Sequence, residues 1–250
     1  MLSIKSTTRT ALNRFGVDVG RHQPFAGADS AAEVQILRAV LPYTQTSAAR
    51  VLGLVDAIRW ICAAKIPGAI AECGVWRGGS MMAAALTLLE QGDDSRDLYL
   101  FDTYTGMTAP DGGDRDWRGR SAVPIFSRTQ TGPNSSRWCE VGVRQVRSNL
   151  LSTGYPTDRL HFVEGPVEET IPGAAPPELA LLRLDTDWYA STKHELEQLW
   201  PRLAVGGVCI IDDYGHWAGA RRATDEFIES LGLTVLIHRL DYTGRLIVKP

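Results

Sequence analysis

Four aspartates at the ends of two strand-like segments have the residue type and spacing of a metal site. Asp185 and Asp187 close one apolar run, and Asp212 and Asp213 close the next. Carboxylates at neighbouring strand ends repel one another unless a positive charge lies between them. Oxygen ligands of this kind suit Mg²⁺ or a similar divalent cation, whereas zinc is disfavoured because no nearby cysteine or histidine has suitable spacing. The pattern therefore predicts a divalent metal site.

A glycine-rich turn at residues 72–80 has the chemistry to bind an amino acid group. Gly74 and Gly78 allow the backbone to turn tightly and to approach a ligand. The helix that begins near Ser80 offers free N–H groups to a carboxylate, and Glu72 can hold an ammonium group by a charge-assisted hydrogen bond. These groups suit the methionine end of S-adenosylmethionine. The spacing is not GxGxxG, which disfavours a nicotinamide dinucleotide.

Acidic residues also end the next two strand-like segments. Asp102 closes the segment at residues 98–102, where an acid typically accepts hydrogen bonds from ribose hydroxyls. Glu164 closes the segment at residues 160–164, and we assign it to the same ligand site. A nucleoside-containing ligand would then lie across the carboxyl ends of the strands, where open α/β sheets bind ligands.

The elements that must position these residues alternate along the chain. Strand-like segments are expected at residues 69–75, 98–102, 160–164, 179–185, 208–212, 234–239 and 245–249. Helical spacing is present at residues 31–41, 47–62, 80–91, 137–153, 191–203 and 219–231. Ser47 should cap the second helix, and Thr192 and Glu195 should form a capping box. Such alternation predicts a parallel sheet covered by helices on both faces.

The final pair of strands distinguishes two related folds. Only residues 240–244 separate them, and a turn that short joins antiparallel neighbours but cannot contain a crossover helix. Six parallel strands with one antiparallel strand is the arrangement of S-adenosylmethionine methyltransferases rather than of the all-parallel dinucleotide fold. We therefore predict an α/β, Rossmann-like class I methyltransferase fold whose seven-stranded, mostly parallel sheet has an antiparallel last strand.

The chain length suits one large α/β domain preceded by a smaller N-terminal part. We assign residues 1–66 to an arm with helices that cap the domain, and residues 67–250 to the methyltransferase domain. Residues 106–136 contain five glycines among prolines and charged residues, which predicts a long loop acting as a lid.

The composition indicates which binding partners and which cellular compartment to expect. The net charge of −3 makes nucleic acid a poor partner, and no apolar run is long enough to span a membrane. We expect no signal peptide, four free cysteines in a reducing compartment, and a cytoplasmic protein. Apolar residues of the two N-terminal helices are expected to be partly exposed in a monomer, which favours a homo-oligomer.

Four stretches together resemble the TylF family, the macrocin O-methyltransferase type. They are ECGVWRGGS at 72–80, FDTYTGM at 101–107, RLDTDWYAST at 183–192 and IIDDYGHW at 210–217. The resemblance begins near residue 43 and continues to the C-terminus. It implies methylation of hydroxyl groups on sugars or aromatic rings of natural products, with S-adenosylmethionine and Mg²⁺. The expected acceptor is a sugar or glycoside.

The resemblance also assigns roles to the aspartates at the strand ends. By position, it implies that Asp185, Asp212 and Asp213 are metal ligands. Asp187 matches a proposed general base. A cation would lower the pKa of a sugar hydroxyl, and a carboxylate within hydrogen-bond reach would then accept its proton.

Cofactor contacts follow from the same resemblance. It implies that Glu72 and Ser80 contact the methionine end and that Asp102 contacts the ribose. The segment Tyr43-Thr44-Gln45 resembles a Tyr-Thr-Met element near the cofactor, with glutamine in place of methionine. We therefore include Thr44 in the cofactor site.

Three other functions fit parts of this pattern. Asp185 and Asp187 also match the DxD metal site of glycosyltransferases, although the glycine-rich turn and the short final hairpin argue against one. A non-catalytic ligand-binding protein would have no need of four clustered carboxylates. A phenol or catechol acceptor stays open, since a phenol ionises near pH about 10 and would depend less on Asp187.

Overall fold

A computed structural model describes Phe25 and residues 27–250. The strands in this part of the chain are β1 (Ala69–Cys73), β2 (Leu98–Asp102), β3 (Gln130–Gly132), β4 (Ser135–Ser136), β5 (Leu160–Glu164), β6 (Leu179–Leu184), β7 (Leu203–Ile211), β8 (His238–Arg239) and β9 (Arg245–Val248). The helices are α1 (Ala31–Val40), α2 (Ala48–Ala63), α3 (Gly79–Glu90), α4 (Val123–Thr129), α5 (Val143–Leu151), α6 (Val167–Thr170), α7 (Tyr189–Leu199) and α8 (Ala218–Ser230). Short 3₁₀ turns lie at Leu41–Tyr43, Thr157–Arg159 and Trp200–Arg202.

Seven of the strands form one sheet in the order β5-β2-β1-β6-β7-β9-β8. The pairings from β5 to β7 are all parallel, and β9 is antiparallel to both β7 and β8. The predicted class I methyltransferase fold with an antiparallel last strand is therefore confirmed. Strands β3 and β4 form a separate small hairpin.

Alternating residues of the central strands build a core on each face of the sheet. Ile70 and Leu181 point into a core shared with α1, α2, α3 and α5, whereas Ala71 and Leu182 point into a core shared with α6 and α7. All five residues of β1 and all six of β6 are buried, as expected for parallel strands covered on both faces. The sheet is thus a rigid platform whose carboxyl ends meet at one edge.

The first two helices belong to this core. Leu37, Val40, Val55 and Ile58 are fully buried within the chain, whereas Trp60 of α2 is 48% exposed. The apolar residues of these helices are therefore mostly buried, and the expected partial exposure is limited to residues such as Trp60. The predicted cap of the second helix is confirmed, because the Ser47 side chain accepts a hydrogen bond from the backbone N–H of Arg50 at 3.2 Å.

Three local predictions are wrong because contacts from distant parts of the chain override short-range patterns. The loop expected at residues 106–136 contains α4 and the β3–β4 hairpin, and the helix expected from residue 137 begins at Val143. The expected capping box does not form, since α7 begins at Tyr189, three residues before Thr192. Asp114, which lies 75 residues earlier in the chain, instead accepts the hydrogen bond of the Tyr189 N–H at 3.0 Å.

The last part of the sheet also differs from expectation. Strand β8 contains two residues rather than the six expected at 234–239, whereas β7 begins at Leu203 rather than at residue 208. Leu236, before β8, is 81% exposed and has little apolar surface to pack against.

Among the described residues, no helix combines the length and apolarity needed to cross a bilayer.

Candidate active site

A cavity of about 320 Å³ opens at the carboxyl ends of the central strands, where the glycine-rich turn and the aspartates meet. The predicted site residues that line it are Thr44, Glu72, Gly74, Ser80, Asp102, Asp185, Asp187, Asp212 and Asp213. Of the described residues predicted for the site, Gly78 and Glu164 are not among those lining it. The structure therefore brings residues from all three thirds of the chain to one place.

The glycine-rich turn lies directly against the end of β6. Gly74 has φ +82°, and a side chain there would collide with the backbone carbonyl oxygen of Asp185. Gly78 has φ +85° and precedes α3, where a Cβ would lie 2.7 Å from Leu150. Gly74 is therefore needed at the cavity wall, whereas Gly78 is needed to fit the turn against α5.

Asp102 holds together the glycine-rich turn and the turn that follows β2. Its Oδ2 accepts the N–H groups of Val75 at 2.7 Å and Trp76 at 3.0 Å, and its Oδ1 accepts that of Tyr104 at 2.8 Å. Burial raises the pKa of Asp102, although these hydrogen bonds oppose the rise. Glu164 pairs in register with Asp102 but has an exposed side chain.

Glu72 is buried at the end of β1 and has one unsatisfied oxygen. Its Oε1 contacts the guanidinium of Arg183, while its Oε2 has no hydrogen-bond partner among the described residues. Burial raises the pKa of Glu72 to about 7, against the opposing charge of Arg183. A carboxylate with a free buried oxygen facing the cavity can accept an ammonium group.

Arg183 connects Glu72 to the aspartates at the ends of β6 and β7, and the sequence analysis did not identify it. Besides Glu72, its guanidinium donates to Asp185 at 2.7 Å, to Asp212 at 2.6 Å and to Thr46 at 3.2 Å. The side chain is 3% exposed. The signal in the sequence was an arginine inside an otherwise apolar strand, because a charge that enters a core requires partners there.

A second missed arginine completes the surroundings of Asp212. Arg50 of α2 contacts Asp212 Oδ2, and its Nε donates to Asp241 at 3.0 Å. Asp212 Oδ1 accepts from Arg183, so each Asp212 oxygen faces a guanidinium. This aspartate is consequently held by helix α2 and by its own sheet.

Asp185, Asp187 and Asp213 lie close together. One carboxylate oxygen from each lies within 4.8 Å of the other two, and Asp213 Oδ2 is buried without a hydrogen-bond partner among the described residues. Burial and the adjacent acids raise the pKa of Asp187 to about 8 and raise those of Asp185 and Asp213 as well. Clustered carboxylates with an unsatisfied oxygen fit a hard divalent cation.

This grouping differs from the predicted ligand set in one member. Asp185 and Asp213 belong to both sets, whereas the structure places Asp187 in the cluster and Asp212 against the two arginines. Asp187 has φ +70°, which turns the backbone sharply after β6 and directs its carboxylate back toward the cluster.

Aromatic side chains form the wall beside the aspartates. Trp138, Trp188 and Trp217 meet edge to face, with ring centroids 5.0 to 6.3 Å apart, and the first and last of them line the cavity. His216 Nδ1 lies 2.9 Å from the Tyr242 hydroxyl, and both of these side chains line the cavity. Aromatic side chains beside polar groups suit a ligand that has both apolar and hydrogen-bonding surface.

The sheet order, the cavity at its carboxyl edge and the glycine-rich turn define a class I methyltransferase. The model of the Macrocin-O-methyltransferase (TylF) family matches residues 29–249. The chain belongs to this family and is an O-methyltransferase, which confirms the family and the enzyme class expected from the sequence.

Individual relatives agree with this assignment. The 8-demethyl-8-(2,3-dimethoxy-alpha-L-rhamnosyl)-tetracenomycin-C 4'-O-methyltransferase of Streptomyces olivaceus is 34% identical over 213 residues, covering 81% of this chain and 74% of that protein. The Mycinamicin III 3''-O-methyltransferase of Micromonospora griseorubida is 30% identical over 179 residues, covering 72% and 67%. The solved structure of the O-methyltransferase NovP has a TM-score of 0.71 at 26% identity and covers 83% of this chain and 82% of its own.

Proposed function

We propose that this protein transfers a methyl group from S-adenosylmethionine to a hydroxyl group of a sugar or glycosylated natural product, with the help of Mg²⁺ or a similar cation. The observation that carries the proposal is the meeting, in one cavity, of the glycine-rich turn with Asp102 and of the cluster formed by Asp185, Asp187 and Asp213. One half suits a nucleoside with an amino acid group, and the other suits a cation beside a hydroxyl.

The cofactor is assigned to the side of the cavity lined by the glycine-rich turn. Ser80 is the second residue of α3, where free N–H groups favour a carboxylate, and the free oxygen of Glu72 favours an ammonium group. Asp102 would accept the ribose hydroxyls. Thr44 lines the cavity and packs against the turn, since a Cβ at Gly79 would lie 2.7 Å from the Cβ of Thr44. Glu164 immediately precedes the cavity-lining Gly165, so we retain it as a contact at the rim.

The cation is assigned to Asp185, Asp213 and Asp212. The first two converge in the structure, and Asp212 adjoins Asp213. Because its two oxygens face Arg50 and Arg183, binding the cation would require one of them to exchange a guanidinium group for the ion. This choice keeps Asp187 available as a base. A divalent cation at this place supplies the positive charge that lowers the pKa of a neighbouring hydroxyl.

Asp187 is assigned as the general base that accepts the proton of the acceptor hydroxyl. Its carboxylate lies within 4.8 Å of those of Asp185 and Asp213, so it is within reach of a hydroxyl group held beside the cation. Arg183 and Arg50 hold the neighbouring Asp212, and the tryptophan wall limits the entry of water. In this arrangement the chain orients the hydroxyl and removes its proton while the cofactor carries the methyl group.

A sugar acceptor is favoured over a phenol by two observations. The Streptomyces olivaceus relative carries a rhamnosyl group in the name of its substrate. Trp217 and Trp138 line this cavity together with the aspartates, and a sugar alcohol depends more on a base such as Asp187 than a phenol, which ionises near pH about 10.

We also infer a cytoplasmic location, because Cys62, Cys73, Cys139 and Cys209 are free thiols.

The test uses the full chain with labelled S-adenosylmethionine and a panel of rhamnosides, other glycosides and catechols. Mg²⁺-dependent label transfer to a glycoside is expected, with chelator abolishing it. Transfer to catechols alone would replace the sugar acceptor by a phenol. Transfer to no member of the panel, together with no calorimetric binding of S-adenosylhomocysteine, would defeat the proposal.

A further inference from the structure

Helix α7 carries a carboxylic acid in the core, beneath the aspartate cluster. Glu195 is 0% exposed. Its Oε1 accepts a hydrogen bond from the Thr186 hydroxyl at 2.9 Å, and its Oε2 is buried without a hydrogen-bond partner among the described residues. Neither the cofactor side nor the cation cluster described above uses this side chain.

The partner of this acid lies between two members of the cluster. Thr186 separates Asp185 from Asp187, and its carbonyl oxygen accepts the Trp188 N–H at 2.8 Å. Asp187 has φ +70°, a conformation that non-glycine residues adopt only when surrounding contacts impose it. The hydrogen bond from the Thr186 hydroxyl to Glu195 connects this strained turn to α7, which packs on the sheet.

Burying the carboxyl group of Glu195 costs free energy, which argues that its hydrogen bond to Thr186 does more than stabilise the fold. A buried carboxyl group with one unsatisfied oxygen is unfavourable, and replacing a buried hydrogen-bonded pair by apolar groups of similar shape is often nearly neutral. An apolar residue would fill the same core position at lower cost. Unlike an apolar residue, Glu195 provides a hydrogen-bond acceptor that fixes the orientation of the Thr186 side chain and so of the turn from Asp185 to Asp187.

We propose that Glu195 is a positioning residue that, through Thr186, holds the turn from Asp185 to Asp187 in the geometry that binds a divalent cation. This inference rests on the cation site of the proposed function. It predicts that cation affinity depends on the hydrogen bond itself, whereas cofactor affinity, which rests on other residues, does not.

The test measures Mn²⁺ binding to the full chain by electron paramagnetic resonance, with S-adenosylhomocysteine present. Glu195→Leu and Thr186→Val each remove the hydrogen bond and should weaken Mn²⁺ binding about tenfold, while Glu195→Gln retains an acceptor oxygen and should stay within about twofold of wild type. The double variant Glu195→Leu with Thr186→Val should bind no more weakly than either single variant. Glu197→Gln, a half-exposed residue of the same helix, is the matched control.

The outcomes separate the two proposals. Wild-type protein that binds no Mn²⁺ overturns both the cation site and this inference. Normal Mn²⁺ affinity in Glu195→Leu and Thr186→Val, even with a lowered melting temperature, overturns the positioning role and leaves the cation site standing. Equal weakening in Glu195→Gln and Glu195→Leu overturns the hydrogen-bond explanation. Where Glu195→Leu does not fold, Thr186→Val carries the test.

Discussion

The aspartates of the cavity share one side-chain chemistry, and their partners give them different tasks. Asp212 faces two guanidinium groups, whereas Asp187 lies beside Asp185 and Asp213. The arginines hold the Asp212 carboxylate in place, while burial and the neighbouring acids raise the pKa of Asp187. The surroundings of each aspartate, rather than its residue type, therefore distinguish it from the others.

Asp187→Asn should lower turnover by roughly 10²–10⁴-fold, the range for losing a general base, because asparagine keeps the size but cannot accept the proton. Single-turnover kinetics with a labelled cofactor measures the rate, and Mn²⁺ and S-adenosylhomocysteine titrations check the site. A rate within about threefold of wild type would contradict the assignment. Loss of Mn²⁺ binding in this variant, with binding retained in Asp212→Asn, would make Asp187 the third ligand instead.

Affinity for S-adenosylhomocysteine should rise with pH through about 7, the pKa of Glu72. The acid must be ionised to hold the ammonium group, and the nearby charges of Arg183, Asp212 and Asp102 are already included in that pKa. Below this pH, affinity should fall by up to about tenfold per unit, the linkage expected for one proton. Calorimetric titration between pH 6 and 8 measures the slope.

Glu72→Gln should bind more weakly at pH 8 and show no such slope. Glu229→Gln, in the exposed last turn of α8, is the control and should keep the wild-type profile. An unchanged slope in Glu72→Gln would move the ammonium contact to another residue.

At the scale of elements, hydrophobic periodicity predicted the sheet because it depends on short-range alternation. The buried strands β1, β6 and β7 and the helix capped by Ser47 were all predictable in this way. Strand β8 and residues 137–142 were not, because their structure depends on how much apolar surface distant elements leave for them. The same applies to α7, whose first N–H is accepted by Asp114.

The candidate site was predictable only in part, for a related reason. Acids at strand ends could be placed together, since parallel strands end at one edge. Two of the partners of Arg183 lie 111 residues away at Glu72 and 137 residues away at Thr46, and no local pattern connects such positions. The separation of Asp212 from the other three aspartates follows from these arginines, so the sequence could not reveal it.

The turn between β8 and β9 is fastened to the start of α2 through Asp241. Its Oδ2 accepts from Ser47 at 2.7 Å and from Arg50 at 3.0 Å, and its Oδ1 accepts the N–H groups of Thr243 and Gly244. Burial opposes ionisation, yet these hydrogen bonds and the charge of Arg50 lower the pKa of Asp241. A lowered folded-state pKa contributes stability above the ordinary aspartate pKa, and this stability is lost as pH falls through the folded value.

Asp241→Asn should therefore lower the free energy of unfolding at pH 7 by about 1–3 kcal/mol, the usual scale for a buried charged hydrogen bond. The difference from wild type should shrink as pH falls below about 4. Urea unfolding at pH 7 and pH 3.5 measures both quantities. Asp158→Asn, whose side chain is 81% exposed, should change neither, and a loss that is equal at both pH values would exclude the ionic contribution.

At the scale of the whole molecule, the cavity is assembled from segments that are far apart in sequence. Its walls come from the turn after α1, the glycine-rich turn, the segment before α5, the strand ends and the β8–β9 turn. The two cores fix these walls by packing helices on both faces of the sheet. Under the proposed function, the cofactor and the cation would therefore bind to groups already placed by folding, and each should stabilise the folded chain independently.

Removal of divalent metal should abolish turnover and lower thermal stability while leaving the cofactor site intact. At Mg²⁺ concentrations about one hundred times the dissociation constant, binding adds about 2.7 kcal/mol to the free energy of unfolding. For a chain of this size that corresponds to a rise in melting temperature of roughly 5–10 °C. Thermal unfolding with Mg²⁺ or with chelator measures this rise in melting temperature. Asp213→Asn should lose the rise, whereas Asp225→Asn on α8 should keep it.

S-adenosylhomocysteine should still bind after chelation, because Glu72 and Asp102 do not belong to the aspartate cluster. Full turnover in protein shown by elemental analysis to be metal-free would exclude the cation from the reaction.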